Sequence, residues 1–242
     1  AQTVTFRDHA FRPLDQIQYV EDGVTVTRAV IDHTLTASTT TDSLVFGSTR
    51  DDQITGNDGN DLFFGNAGND SIMAGDGADV INGGDGDDVL TGGGGADVID
   101  GNRGDDDIDG GAGDDTITGG AGDDTIEGGD GLDTVIFAGN KDDFTFAVAA
   151  DGTLSITDTG TGNTLGVDTV SGVETLSFDD GTLTVTTTSD GDVTLTGTNS
   201  DDDVITLTGN GGATLDGVDG DDMLSGGAGA DVIDGNRGDD DI

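Results

Sequence analysis

Aspartate recurs at every ninth position over a long central stretch of the sequence, and this spacing suggests a specific chemistry. The aspartate column comprises Asp52, Asp61, Asp70, Asp79, Asp88, Asp97, Asp106, Asp115, Asp124 and Asp133. Carboxylates that a fold brings close together repel one another unless a cation lies between them. Calcium is the expected cation, because it takes about six to eight carboxylate and carbonyl oxygens, whereas magnesium retains water in a strict octahedron.

The residues around each aspartate form a repeated nine-residue unit. From residue 56 to residue 136, every unit has glycine at position 4, aspartate at position 6 and an apolar residue at position 8. A looser unit at 47–55 places Asp52 and Ile54 in the same frame. Such a period indicates a solenoid whose units stack and bury one narrow face. The first six positions are expected to turn, and the last three to form a short strand.

These units resemble the RTX family, the calcium-binding nonapeptides of secreted bacterial proteins with the pattern G-G-x-G-x-D-x-U-x. The resemblance implies an all-β fold, a right-handed parallel β-roll with flanking antiparallel β caps and two nonapeptides per turn. Calcium would lie between loops 18 residues apart, which pairs Asp52 with Asp70 and finally Asp115 with Asp133, giving about eight ions. The implied ligands are these aspartates and backbone carbonyls near Gly59, Gly68, Gly77, Gly86, Gly95, Gly104, Gly113, Gly122 and Gly131.

The composition makes folding depend on cations. The 242 residues carry a formal net charge of −44, and only 31% of them are hydrophobic. That combination favours disorder unless the charge is neutralised. We therefore expect a chain that is disordered at cytosolic calcium levels and folds at extracellular, millimolar calcium. The acidity also argues against nucleic acid and anionic membranes as partners, and no apolar run is long enough for membrane insertion.

Composition and periodicity divide the chain into four segments. They are an N-terminal β segment (1–46), the first RTX β-roll (47–136), a β-sandwich-like cap (137–190) and a truncated second RTX array (191–242). In the first segment, alternation at 3–6, 23–27 and 43–46 predicts short strands. His9 and His33 lie beside aspartates but lack the spacing of a known metal motif, so they are interpreted as ordinary surface or hydrogen-bonded residues.

The third segment loses the nonapeptide but stays β-prone. Alternating residues at 144–148 and 153–157 flank Asp151-Gly152, which predicts a hairpin. Residues 166–181 resemble the segment that follows many RTX arrays, which implies a cap on the last turn. Its core is expected to contain Phe137, Phe144, Phe146 and Phe178. Lys141, the single lysine, is predicted to lie solvated in a turn.

The last segment opens a second array. Residues 197–205 match the unit at 47–55, which puts Asp202 at position 6. Further column members are Asp222, Asp231 and Asp240, with a carbonyl near Gly229. Asp222 and Asp240 are 18 residues apart, so about one or more calcium ions are expected here. Residues 230–242 repeat 96–108 letter for letter, and the chain starts without Met, so we expect a piece of a longer modular protein.

The residue inventory favours binding and structure over catalysis. The chain has no cysteine, two histidines and no G-x-S-x-G elbow, so it is expected not to be an enzyme. The favoured function is a calcium-binding structural module of a secreted or cell-surface bacterial protein, of S-layer, adhesin or filament type, with possible self-association. The alternative is the calcium-folding, secretion-assisting RTX region of a larger enzyme or toxin. The family resemblance implies export by type I secretion machinery.

Overall fold

The computed structural model describes residues 16–21, 24–29, 34–36, 42–149, 153–160, 165–187, 192–198, 203–209 and 211–242. The strand expected at 3–6, both histidines, the Asp151-Gly152 turn and Asp202 lie outside these ranges. None of the described segments contains a helix with the length and apolar character needed to cross a membrane.

Short strands precede the first array. They are β1 (Gln16–Glu21), β2 (Val24–Ala29), β3 (Thr34–Thr36) and β4 (Ser43–Phe46). β1 pairs antiparallel with β2, and β2 then pairs parallel with β4. This segment therefore leads from an antiparallel ribbon into parallel stacking. The strands expected around 23–27 and 43–46 are confirmed by β2 and β4.

The first array winds as a chain of short parallel strands. They are β5 (Gln53–Thr55), β6 (Leu62–Ala67), β7 (Ser71–Asp76), β8 (Val80–Asp85), β9 (Val89–Gly94), β10 (Val98–Arg103), β11 (Asp107–Ala112), β12 (Thr116–Ala121), β13 (Thr125–Asp130) and β14 (Thr134–Ile136). Even-numbered strands join one sheet, here sheet A, and odd-numbered strands join the opposite sheet, sheet B. Two nonapeptides therefore complete one turn, which confirms the expected parallel β-roll.

Register and core both follow the 18-residue turn. Ile99 pairs with Ile81 on one side and with Ile117 on the other. Each position-8 side chain points between the sheets and is at most 1% exposed. Burial of each such side chain stabilises the fold by about 2 kcal/mol. The core column comprises Ile54, Phe63, Ile72, Ile81, Leu90, Ile99, Ile108, Ile117, Ile126 and Val135.

Most strands of the roll are longer than the three residues expected. β7 covers positions 7–9 of one unit and continues through positions 1–3 of the next. The pairing confirms this, since Asn102 at position 2 is in register with Gly84 and Gly120. The turn is thus confined to positions 4–6. Glycine-rich composition suggested a longer turn, but glycine tolerates extended pairing where neighbouring backbones approach closely.

The segment after the first array continues both sheets. Its strands are β15 (Phe144–Val148), β16 (Leu154–Asp158), β17 (Val167–Ser171), β18 (Thr175–Phe178) and β19 (Gly181–Thr187). β17 extends sheet B from β13, and β18 extends sheet A from β14, both in parallel. The antiparallel pairing of β15 with β16 confirms the expected hairpin, and the four phenylalanines expected in its core are all buried.

The last strands resume the roll. They are β20 (Val193–Thr196), β21 (Val204–Thr206), β22 (Ala213–Asp216), β23 (Met223–Ser225) and β24 (Val232–Asp234). β20, β22 and β24 pair in parallel within sheet A, and β21 pairs with β23. Among the described residues, sheet A runs without a break from β1 to β24. The four-segment division stays a prediction, since hydrogen bonds cross each of its boundaries.

Candidate metal centre

The position-6 aspartates stack in two columns, one along each edge of the roll. The backbone N–H of each donates to Oδ1 of the aspartate 18 residues later, at 2.6–2.9 Å. Asp61, for example, donates to Asp79 at 2.6 Å, and Asp97 donates to Asp115 at 2.8 Å. One carboxylate oxygen of each aspartate therefore stitches neighbouring turns together.

The second carboxylate oxygen is left for another partner. Within the described residues, Oδ2 is buried and accepts no hydrogen bond in Asp61, Asp70, Asp79, Asp88, Asp97, Asp106, Asp115, Asp124 and Asp133. These side chains are at most 2% exposed. A buried, ionised oxygen without a partner is strongly destabilising, so each one calls for a counter-charge.

Each unpartnered oxygen faces a small cradle beside a position-1 glycine. A Cβ built on Gly65 would overlap both Asp70 Oδ2 and the carbonyl oxygen of Gly83 on the next turn. The same pair of oxygens surrounds Gly101, where the partners are Asp106 and Gly119. A carboxylate and a carbonyl thus converge where a side chain is excluded. This donor set suits a hard cation, and calcium accepts both oxygen types.

The expected carbonyls near the position-4 glycines lie elsewhere in the loop. A Cβ on Gly77 would overlap the carbonyl oxygen of Gly59, and Gly95 lies over Gly77 in the same way. Gly59, Gly68, Gly77, Gly86, Gly95, Gly104, Gly113, Gly122 and Gly131 all have φ between +117° and +153°. Position 4 therefore stacks glycine on glycine, while position 1 supplies the carbonyl beside Oδ2. The position-4 share of the ligand set stays a prediction.

Position 2 carries a constraint that the sequence analysis missed. Asn66 and Asn102 take φ values of 79° and 75°, and the glycines at position 2 from Gly75 to Gly129 also have positive φ. This backbone region favours glycine and tolerates asparagine. The signal was present, since position 2 of the units between residues 56 and 136 contains only these two residue types.

Side chains alone do not enclose a metal in the described part of the chain. No group of three or more histidine, aspartate or glutamate side chains comes together there at metal-binding distance. The carboxylates meet in pairs along each column, and backbone carbonyls must complete any coordination shell. Calcium accepts this mixture, whereas a tetrahedral zinc site needs more side chains.

The electrostatics of the columns show how costly they are without a cation. Burial, reinforced by the charges of Asp106, Asp70 and Asp87, raises the pKa of Asp88 to about 7. Burial and the neighbouring charge of Asp52 raise the pKa of Asp70 to about 6. Asp79, Asp97, Asp106 and Asp124 likewise have pKa values raised to about 6, chiefly by burial. The columns therefore resist ionisation until positive charge is supplied.

Two residues beyond the repeats extend the columns. Asp124 N–H donates to Asp168 Oδ1 at 3.0 Å, and Asp133 N–H donates to Glu174 Oε2 at 2.9 Å. Burial raises the pKa of Asp168 to about 7, with smaller contributions from nearby aspartates. Neither residue was among the predicted ligands. The overlooked signal is the tandem hexad GVDTVS-GVETLS at 166–177, which preserves positions 4–9 of the nonapeptide.

The second array repeats the column with a shifted start. Asp222 N–H donates to Asp240 Oδ1 at 3.0 Å, which brings the expected pair together. Asp231 is half-buried and accepts a hydrogen bond from Ala213 N–H at 3.2 Å. Asp203 holds the position that the unit frame gave to Asp202, since its N–H donates to Asp222 Oδ1. The repeat between Asp203 and Asp222 is 19 residues long, one residue more than a regular turn.

Gly229 and Lys141 complete the positions singled out in the sequence. Gly229 lies over the carbonyl oxygen of Gly211, as position-4 glycines do in the first array. The prediction that Lys141 is solvated was wrong: it is 3% exposed, and its ammonium group forms an ion pair with Asp203. Because Asp203 is also buried, the pair must form to compensate both charges.

The fold and donor set define a calcium-binding parallel β-roll. A family model for the RTX calcium-binding nonapeptide repeat matches four copies, at residues 40–72, 73–108, 100–135 and 207–242. These matches cover more than half of the chain. The chain therefore belongs to the RTX calcium-binding nonapeptide repeat family.

Comparison with solved structures finds similar chains. One is the crystal structure of the extracellular lipase LipA from Serratia marcescens, at 18% identity and a TM-score of 0.23. The alignment covers 79% of this chain and 28% of the lipase chain, so the similarity spans less than a third of that protein. A search of curated proteins finds no match.

Proposed function

We propose that this chain is a structural module of a secreted or cell-surface bacterial protein, of S-layer, adhesin or extracellular filament type, which calcium folds and stiffens outside the cell. The observation that carries the proposal is the continuity of sheet A. Its strands run from β1 to β24 through the first array, the intervening segment and the second array. A single hydrogen-bonded rod transmits force along its length, which suits a structural role.

The calcium ligands in this proposal are the position-6 aspartates. In the first array Oδ2 of each of Asp61 to Asp133 would bind an ion together with the adjacent position-1 carbonyl, giving about eight ions. In the second array the ligands would be Asp222, Asp231 and Asp240. Metal binding would supply much of the folding free energy, because the ionised columns are unfavourable without it. Export by a type I secretion system follows the same logic, since a chain unfolded at low calcium passes a narrow channel.

Self-association is the part of the proposal that separates a structural module from a secretion aid. The outer faces of the roll carry exposed carboxylates, including Asp107, Asp109 and Glu127. Calcium can bridge such acidic faces between copies, and no catalytic role for this segment is needed. The test is sedimentation velocity over a range of protein concentrations in about 5 mM calcium. Species heavier than the 24.1 kDa chain support the proposal, whereas a strict monomer contradicts its assembly function.

A further inference from the structure

The first array ends in an arrangement that the repeats do not account for. Asp133 is the last aspartate of its column, and its next neighbour 18 residues on would be residue 151. The structure instead stacks Glu174, 41 residues later, against Asp133. The backbone register is retained, because Thr175 N–H donates to the carbonyl of Asp133 at 3.0 Å, as Thr134 N–H donates to Asp115 at 2.9 Å.

The glycine cradle is retained as well. In a regular turn a Cβ on Gly110 would lie 2.6 Å from Asp115 Oδ2 and 2.5 Å from the carbonyl oxygen of Gly128. One turn later, a Cβ on Gly128 would lie within 2.8 Å of both Asp133 Oδ2 and the carbonyl oxygen of Gly172. Gly172 lies outside the nonapeptides, yet its carbonyl takes the same place.

The oxygen that faces this cradle lacks a hydrogen-bond partner. Asp133 is 0% exposed, and its Oδ2 accepts no hydrogen bond from the described residues. Glu174 Oε2 is engaged by Asp133 N–H, as Oδ1 is in a regular turn, so the glutamate occupies the place of a position-6 aspartate. Two carboxylates and one carbonyl therefore meet at a position that no nonapeptide pair supplies.

We propose that Asp133, Glu174 and the carbonyl of Gly172 form an additional calcium site, which closes the first array against the segment that follows. It rests on the proposed calcium binding and adds an ion beyond the Asp115–Asp133 pair. The site joins the last nonapeptide to a segment with no nonapeptide of its own. Binding there couples the folding of residues 166–187 to calcium.

Calcium counting on the full chain tests this site. Wild type, Glu174→Gln and Glu127→Gln are dialysed to equilibrium over a calcium series, and bound calcium is measured by mass spectrometry of the metal. In the Glu174→Gln variant the side-chain amide keeps an oxygen that accepts the Asp133 N–H, so the substitution removes chiefly the charge. Glu127 is exposed on the outer face and provides the matched control. We expect Glu174→Gln to bind one calcium fewer and Glu127→Gln to match wild type.

The outcomes separate this site from the general proposal. A wild-type chain that binds no calcium overturns the proposed function itself. A Glu174→Gln chain that binds as many ions as wild type, with the same midpoint, overturns only the closing site. A calcium anomalous-difference map of wild-type crystals decides the matter if the variant does not fold. A peak bonded to Asp133 Oδ2 and Gly172 O supports the site, and density at the other columns without that peak overturns it.

Discussion

The ammonium group of Lys141 pairs with the carboxylate of Asp203 across 62 residues of sequence, and both side chains are almost fully buried. Asp203 opens the aspartate column of the second array, and within the described residues no position-6 aspartate of an earlier turn donates its N–H to Asp203 Oδ1. Lys141 takes that place with a charged donor. The short turn at Lys141–Asp143 thereby fixes the start of the second array to the segment before it.

Substitution of Lys141 by methionine should destabilise this junction strongly. The change leaves Asp203 buried without its counter-charge, which typically costs about 3–5 kcal/mol. The measurement is urea unfolding of wild type and variant in saturating calcium. Arg103→Met is the control, since the Arg103–Asp85 pair is exposed and such pairs contribute about 0–1 kcal/mol. Equal losses in the two variants would contradict the structural role of the buried pair.

Removal of one column carboxylate should weaken calcium-dependent folding. Asp106→Asn removes a buried charge whose Oδ2 lies in the Gly101 cradle, so more calcium should be needed to reach half-maximal folding. Asp109→Asn removes an exposed charge three residues later and should leave the midpoint nearly unchanged. Calcium titrations followed by far-ultraviolet circular dichroism measure both midpoints. Identical midpoints for the two variants would argue against the column as the binding site.

Position 2 should accept asparagine better than a β-branched residue. Gly84 has φ +123° and lies between Asn66 and Asn102 in sheet A. Gly84→Asn completes a ladder of three asparagines, whereas Gly84→Val places a branched side chain in a strained region at a cost of order 1–3 kcal/mol. Thermal unfolding in calcium should rank the valine variant clearly below the asparagine variant. The reverse order would show that the backbone constraint does not govern this position.

The metal-free chain should become more structured in acid. Burial raises the pKa of Asp88 to about 7 and that of Asp97 to about 6, above the ordinary aspartate value of 3.8. Raised pKa values mean that the metal-free fold is favoured below the unfolded pKa and loses that stability as pH rises toward 6–7. In chelator, circular dichroism should show more β structure at pH 4 than at pH 7.5. With saturating calcium the trend should reverse, since protons compete for the same oxygens.

Periodic features were accessible from the sequence, and non-periodic ones were not. The position-8 core and the stacked aspartates follow from a nine-residue frame that never slips between residues 56 and 136. The partner of Lys141 could not be inferred, because the frame is interrupted between it and Asp203 and buried pairing depends on the path of the intervening strands. Glu174 was missed because its unit shrinks to six residues. Asp203 replaced Asp202 because one turn contains an extra residue.

The central claim, that calcium folds this chain, is tested most directly by small-angle X-ray scattering in about 5 mM calcium and again in chelator at pH 7.5. An unfolded chain of 242 residues has a radius of gyration of about 54 Å, and a compact one about 18 Å. We expect a value near the unfolded limit in chelator and a compact, elongated particle in calcium. The same radius in both buffers would contradict metal-coupled folding and leave the buried aspartate columns without their counter-charge.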